Sequence, residues 1–299
     1  MKRQKAPFPL SNFGSLPSPK RKLGINEKLL YCQSQYMTLM KEIIASYRGQ
    51  IDSPRYLGQI AETILSGTRE CFDHLGMDII EGHVLPGADE KLRRAFRLGR
   101  LKTYFPFFRS QLEQPKFPFH RLKQIRRSLY DELELLIEAT EQNFAIEGLS
   151  GDGLKTLLVV RKMVNEKKHS HVLRYEGQSQ QKYFFERARD GLVCVLTSDV
   201  RGTLGHRIEG LDEATLKSVP GYRFSNGQDV WHLCGFCVGA TTWIMNRFYD
   251  RHFQSSPRIE LQDITPSLQV LPPSPILGVH GVPVDPRPTL VITKPTPKK

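Results

Sequence analysis

The distribution of charge over residues 91–147 constrains this chain more than any other feature. Between Lys91 and Arg127 twelve basic side chains are accompanied by a single carboxylate, that of Glu113. The basic residues are Lys91, Arg93, Arg94, Arg97, Arg100, Lys102, Arg109, Lys116, Arg121, Lys123, Arg126 and Arg127. Six carboxylates and no Lys or Arg then follow between Asp131 and Glu147. A fold built on this stretch must either neutralise the basic half internally or leave it free to bind an external anion.

The net charge of the whole chain points to an anionic partner, although much of that charge lies near the ends. Lys and Arg number 43 and Asp and Glu number 31, which gives +12, a balance typical of proteins that bind nucleic acid. Residues 1–25 contribute six of these positive charges and residues 257–299 contribute two, which leaves about +4 for the segment between them. A basic face on the folded part must therefore arise from segregation of charge.

Both ends of the chain, residues 1–24 and residues 256–299, are predicted to be disordered tails. They are rich in proline and lack an apolar period, so they bury too little surface to offset the entropy of ordering. Lys20, Arg21 and Lys22 resemble a nuclear import signal, with a solubilising basic tail as the alternative. The proline-rich second tail is suited to a polyproline II segment that docks on a protein partner.

Apolar residues recur at spacings of three and four over most of the chain, which predicts a series of helices. Candidate capping residues mark helix starts at Asn26, at Ser53 before Pro54 and at Asp229, and the carboxylates of Asp89 and Glu90 favour a further start through the helix dipole. The predicted helices cover residues 26–48, 54–76, a segment opened by Asp89, 120–144, 154–166, 182–190 and 229–253. The fold class predicted from this pattern is mainly α, a multi-helix domain.

A small β element around residues 192–224 interrupts this helical pattern. Residues 192–197 are apolar and largely β-branched, which predicts a short buried strand. A glycine-rich segment at 148–153 suggests two helical subdomains, residues 25–147 and residues 148–255, with the strand in the second.

The predicted helix 120–144 carries its charges in the order that a helix dipole disfavours. Cations occupy its first turns and carboxylates its later turns, whereas a helix N-terminus attracts negative charge. An i,i+4 pair such as Arg127 with Asp131 offsets part of the cost. We therefore expect another element, or an anion from outside, to neutralise the basic end.

Two aromatic and proline clusters, at residues 104–108 and 115–119, lie inside the basic stretch. Their prolines predict extended or turning segments, since proline interrupts helices and central strands. Packing of the rings in the core is the favoured interpretation, and stacking on exposed bases is the alternative.

The five cysteines predict reduced thiols in an intracellular protein, because their number is odd and no secretory signal precedes them. The spacing of Cys234 and Cys237 is that of a metal or redox motif, but it lies within a helical pattern where small buried residues are expected. A metal site that adds His232, His206 or Cys194 is the alternative. We predict no metal, no cofactor and no membrane partner, since no apolar run is long enough to span a bilayer.

Polar residues around the strand 192–197 offer the best material for an enzyme. Asp190, Ser198 and Asp199 flank it, and Arg201 and His206 follow, a pattern compatible with a metal-dependent nuclease or other hydrolase. The standard catalytic motifs do not occur in the sequence. A non-enzymatic protein is therefore favoured, without a catalytic residue.

The function predicted from these patterns is sequence-tolerant nucleic-acid binding by an intracellular accessory or regulatory protein, directed to the nucleus if the basic cluster acts as an import signal. Lys and Arg side chains bind phosphates without a motif, because counterion release drives the association. The residues expected to bind are Arg93, Arg94, Arg97, Arg100, Lys102, Arg109, Arg121, Lys123, Arg126 and Arg127. An adaptor that meets a protein partner through segregated basic and acidic faces is the alternative.

Overall fold

The described part of the chain is mainly helical. The computed structural model describes residues 16–146, 154–169 and 221–262, together with the backbone of five short strands. Its helices are α1 (Lys22–Tyr47), α2 (Leu57–Ile79), α3 (Glu90–Arg97), α4 (Arg109–Glu113), α5 (Leu122–Ile125), α6 (Arg127–Gln142), α7 (Thr156–His169) and α8 (Val230–His252). A π-helical turn, Ile80–Val84, continues α2, and a 3-10 turn, Pro118–Arg121, precedes α5.

Helices α1 and α2 form an antiparallel pair. Lys28 pairs with Glu70, and the Arg21 guanidinium lies 2.8 Å from the Asp78 carboxylate, so sequence positions rise along one helix as they fall along the other. The second helix begins at Leu57 and not at Pro54, because Tyr56 adopts a left-handed conformation with φ 55°. The predicted start at Ser53 is therefore wrong.

Helix α8 is the most deeply buried helix of the described part. Its start is set locally, since an oxygen of the Asp229 carboxylate accepts a hydrogen bond from the His232 backbone N–H at 3.0 Å. Apolar side chains on several of its sides are buried, including Val238, Ile244 and Phe248. The predicted helix 229–253 is confirmed.

Two clusters of buried apolar side chains make up the core. One includes Leu29 of α1 and Phe248 of α8, together with the end of α2, the segment 105–122 and α6. The other includes Tyr36 of α1 and Val238 of α8, together with the start of α2 and α7. Helices α1, α2 and α8 thus contribute to both clusters. The predicted division into subdomains at 147/148 stays a prediction.

The predicted helix 120–144 is broken at Arg126, whose φ of −145° and ψ of 75° leave the helical region. The 3-10 turn and α5 before the break bury Phe119 and Leu122 in the first core cluster, and α6 starts in a new direction at Arg127. Tertiary packing overrides the helical pattern here. Arg126 is the N-cap of α6 and Arg127 is its first residue, with no carboxylate in the first turn, so the predicted conflict with the helix dipole remains at this end.

Five short strands are described by their backbone alone. They are β1 (Gln181–Glu186), β2 (Val193–Thr197), β3 (Arg207–Ile208), β4 (Lys217–Pro220) and β5 (Ile292–Thr293). β1 pairs antiparallel with β2 and β4, and β3 pairs antiparallel with β5. β1 lies where a helix, 182–190, was predicted. The side chains lie outside the described part, so the buried β element around 192–224 stays a prediction.

Replacing Gly76 with alanine is expected to destabilise the protein by about 1–3 kcal/mol through overpacking. A Cβ atom at this position of α2 would lie 2.8 Å from the Thr103 carbonyl oxygen and 3.0 Å from the Phe105 nitrogen, both backbone atoms. The matched control is Gly24→Ala in α1, where no atom lies within 4 Å, and there we expect a gain of roughly 0.5–1 kcal/mol. Urea unfolding of both variants tests this packing, which equal stabilities would contradict.

Candidate nucleic-acid interface

The fold brings two basic segments together, residues 91–102 and residues 116–123. The Lys102 backbone N–H donates to the Lys116 carbonyl at 3.3 Å, and the Arg121 guanidinium lies 3.4 Å from the Asp89 carboxylate that caps α3. Their basic side chains are exposed except for that of Arg121, which is half-buried. We name this set the basic surface: Lys91, Arg93, Arg94, Arg97, Arg100, Lys102, Lys116, Arg121 and Lys123.

Helix α3 carries the densest part of the basic surface. The Asp89 carboxylate accepts from the Leu92 backbone N–H at 2.7 Å, which fixes the first turn as predicted. Leu92 is then buried beneath the helix, while Arg93, Arg94 and Arg97 are exposed. The alternation of one inward leucine with outward arginines is what the helical spacing predicted.

Some of the predicted binding residues have carboxylate partners. Arg97 pairs with Glu90 and Arg121 with Asp89. Arg109 pairs with Glu113 and Glu134, and Arg127 with Asp131. Each pair involves exposed or half-buried groups, for which the interaction contributes about 0–1 kcal/mol, so a phosphate can displace the carboxylate.

Seven residues of the basic surface have no carboxylate partner within the described part of the chain. They are Lys91, Arg93, Arg94, Arg100, Lys102, Lys116 and Lys123. Arg93 donates instead to the carbonyl oxygens of Leu85 and Pro86, and Lys102 and Lys123 lie over aromatic rings. Neutral partners leave the positive charge uncompensated, so the basic surface attracts anions.

The acidic half of the stretch neutralises other arginines. Glu132 of α6 is buried and pairs with Arg247, Arg251 and His252 of α8. Glu134 pairs with Arg109, outside the basic surface. Internal neutralisation of the basic surface by the following carboxylates is therefore limited to the few pairs named above.

Arg126 differs from the other predicted binding residues, because it is half-buried at the break between α5 and α6. Its Nε atom is buried without a hydrogen-bond partner in the described part. Burial of His83 lowers the pKa of its imidazole to about 4, and the positive charge of Arg126 contributes to this shift. The fold therefore does not place Arg126 on the basic surface.

The aromatic clusters belong to the core and are not available to stack on bases. Phe105, Phe107, Phe117 and Phe119 are each at most 4% exposed. Phe105 packs edge-on against Phe72, with ring centroids 5.2 Å apart. Core packing was the favoured interpretation, and base stacking by these four rings is wrong.

The cluster that resembles an import signal is folded into the start of α1. Arg21 pairs with Asp78 and Glu81 at 2.8 and 2.6 Å, and Lys20 pairs with Glu81 at 2.9 Å. The buried Lys22 amino group donates to the Ser256 hydroxyl at 2.8 Å. An import receptor requires an extended, accessible run. The three basic residues are not such a run, so the structure does not support the nuclear import hypothesis. The predicted boundary of the first tail at residue 24 is wrong, because α1 begins at Lys22.

The cysteines of the described helices are buried free thiols. Cys234 and Cys237 are 0 and 1% exposed in α8, and burial raises the pKa of both thiols. Burial likewise raises the pKa of Cys32 to about 12. Within the described residues no three His, Cys, Asp or Glu side chains are placed to hold a metal ion. His206 and Cys194, two residues of the alternative metal site, lie outside the described side chains.

Two arginines outside the basic stretch, one buried and one half-buried, lie in neighbouring helices where no sequence pattern indicated a second cationic site. Arg69 of α2 lies over the Phe107 ring and Arg161 of α7 lies over the Phe108 ring, at 5.0 and 4.8 Å from the ring centroids. They are more than ninety residues apart in the sequence, so no local pattern links them.

No protein-family model matches this chain, and neither a curated protein nor a solved structure matches it. The assignment of a function therefore rests on the residues and geometry above.

The residues proposed for an enzyme cannot be placed by this geometry. Asp190, Ser198, Asp199, Arg201 and His206 all lie outside the described residues. Every helix of the described part is too short or too polar to cross a lipid bilayer.

Proposed function

We propose that this chain binds nucleic acid through the phosphate backbone, without reading base sequence, by means of the basic surface. The observation that carries the proposal is the set of seven exposed cationic side chains, on two adjoining segments, that have no carboxylate partner among the described residues. Arg and Lys in such a setting neutralise phosphates and release condensed counterions, which supplies affinity for any sequence.

Two features favour binding to the backbone over recognition of bases. Phe105, Phe107, Phe117 and Phe119 are buried, so these rings do not stack on bases. The arginines of α3 project from a helix of eight residues flanked by turns, which presents charge without a long recognition helix. A non-enzymatic accessory or regulatory role is consistent with affinity that depends on charge alone.

Reversing four charges of the basic surface is expected to weaken binding of a labelled oligonucleotide by about 100-fold or more at low salt. The variant is Arg94→Glu, Arg100→Glu, Lys102→Glu and Lys116→Glu, all exposed and without carboxylate partners in the described part. Fluorescence anisotropy with single-stranded DNA, duplex DNA and RNA measures the affinities. Similar losses for all three are expected, because phosphates are common to them.

The control carries the same charge change elsewhere, as Lys41→Glu, Arg55→Glu, Lys155→Glu and Lys162→Glu, which are also exposed. It is expected to weaken binding by less than about tenfold through the general field. A second control removes residues 1–15 only, since a longer deletion would remove the Arg21 contacts of α1. Loss of binding in either control equal to that in the surface variant would overturn the proposal. Absence of any binding by the intact protein would favour the adaptor instead.

A further inference from the structure

Two arginines, Arg69 and Arg161, lie where helices α2 and α7 meet the segment 104–108. Arg69 is 7% exposed and Arg161 is half-buried. Each guanidinium packs on a phenylalanine ring, Arg69 on Phe107 and Arg161 on Phe108. Ring faces hold a guanidinium plane in place and leave its edge, with the N–H donors, available for a planar acceptor.

Among the described residues, the two guanidinium cations at this site are accompanied by one carboxylate, that of Asp73. The Asp73 carboxylate accepts from Arg69 Nη1 at 2.6 Å, and its side chain is 33% exposed. The Nε atoms of both arginines are buried and have no hydrogen-bond partner in the described part of the chain. Unpaired buried donors are costly, and a buried cation without its own anion is more so.

The electrostatics of Arg161 agree with this deficit. Burial lowers the pKa of Arg161, and the charge of Arg69 lowers it further, against smaller opposing effects of Tyr104 and Asp73. The two guanidinium groups are thus close enough to repel each other. A second anion between them would remove the repulsion and accept hydrogen bonds from both.

We propose that Arg69 and Arg161 form a binding site for a small phosphate oxyanion, free phosphate or a phosphate monoester, for which Asp73 competes. Phosphate presents several acceptor oxygens and matches the fork of donors on two guanidinium groups. The site is distinct from the basic surface and does not depend on nucleic-acid binding, because its side chains lie on α2 and α7.

Calorimetric titration of the intact protein with inorganic phosphate, and separately with glycerol phosphate, tests this site. Arg161→Gln is expected to weaken phosphate binding at least about tenfold, because it removes one of the two cations. Arg55→Gln is the matched control, since it removes one exposed cation that belongs neither to this site nor to the basic surface, and it is expected to leave phosphate affinity within about twofold. Preference for one titrant identifies the source of the phosphate group.

Asp73→Asn provides a readout that does not depend on the stability of the arginine variant. Removal of the competing carboxylate is expected to strengthen phosphate binding about threefold or more, a gain that damage to the fold would not produce. Equal affinities of the wild type, Arg161→Gln and Asp73→Asn would overturn the proposal. Equal weakening by Arg161→Gln and Arg55→Gln would also overturn it, because it would mean that phosphate binding responds to the net charge of the protein alone.

Discussion

Replacing Glu132 with glutamine is expected to lower the free energy of unfolding by about 3–5 kcal/mol at pH 7, because it leaves the largely buried Arg247 guanidinium without its anion. The Glu132 side chain is 9% exposed. It pairs with Arg247, with Arg251 at 3.1 Å, and lies 3.6 Å from His252. These contacts join α6 to the end of α8, so their loss is expected to weaken the association of two core helices.

The matched control for Glu132→Gln is Glu113→Gln. Glu113 pairs with Arg109 at 3.3 Å, but both side chains are more than half exposed, so the expected loss is about 0–1 kcal/mol. Urea unfolding at pH 7 measures both. If Glu132→Gln lowered the free energy of unfolding as little as the control does, the ion pairs of Glu132 with Arg247 and Arg251 would not stabilise the fold.

The dependence of stability on pH distinguishes the charge of Glu132 from its shape. Burial alone would raise the pKa of Glu132, but the nearby His252, the hydrogen bonds from Arg251 and the charge of Arg247 outweigh burial and lower the pKa to about 2, from 4.5. The stabilisation is therefore present above pH 4.5 and is lost as the pH falls toward 2. The glutamine variant should lack this part of the acid destabilisation.

Replacing Asp78 with asparagine is expected to cost about 3–5 kcal/mol, for a related reason. The buried Asp78 carboxylate accepts three hydrogen bonds, from the Arg21 backbone N–H at 3.0 Å, from Arg21 Nη1 at 2.8 Å and from the Tyr249 hydroxyl at 2.9 Å. Asparagine keeps the shape but turns one acceptor into a donor that faces other donors, and it removes the negative charge.

The loss at Asp78 also has a local consequence at the start of α1. Arg21 is expected to detach from α2, so trypsin should cleave after Lys20 or Arg21 faster in the variant than in the wild type. Glu70→Gln is the control, since Glu70 pairs with Lys28 in the same helix pair but is 48% exposed, and its expected cost is about 0–1 kcal/mol. Unchanged stability together with unchanged cleavage would show that Asp78 does not hold the start of α1 in place.

Features set by contacts within a few residues were predictable from the sequence. Asp229 caps its helix by accepting from the backbone N–H three residues later, as predicted. Asp89, predicted only to favour a helix start through its charge, caps α3 in the same way. The buried side of α8 followed from apolar spacing. The break at Arg126 did not, because it depends on packing of Phe119 and Leu122 against distant parts of the chain.

The basic surface was predictable in composition but not in pairing. The exposure of Arg93, Arg94 and Arg97 on α3 agrees with their helical spacing from the buried Leu92. Which arginines meet carboxylates depends on contacts distant in sequence, such as that of Arg109 with Glu134. The same holds for Arg21, whose partners lie 57 and 60 residues away, which is why the cluster at its position resembled a free basic run.

The salt dependence of nucleic-acid affinity is the most direct measurement of the proposed function. The logarithm of the binding constant should fall linearly with the logarithm of salt concentration, with a slope of about −0.9 for each phosphate neutralised on duplex DNA. The variant with Glu at residues 94, 100, 102 and 116 should show a slope smaller in magnitude by about 3–4, while the distal control keeps the wild-type slope. A wild-type slope near zero, or an unchanged slope in the surface variant, would contradict binding through the basic surface.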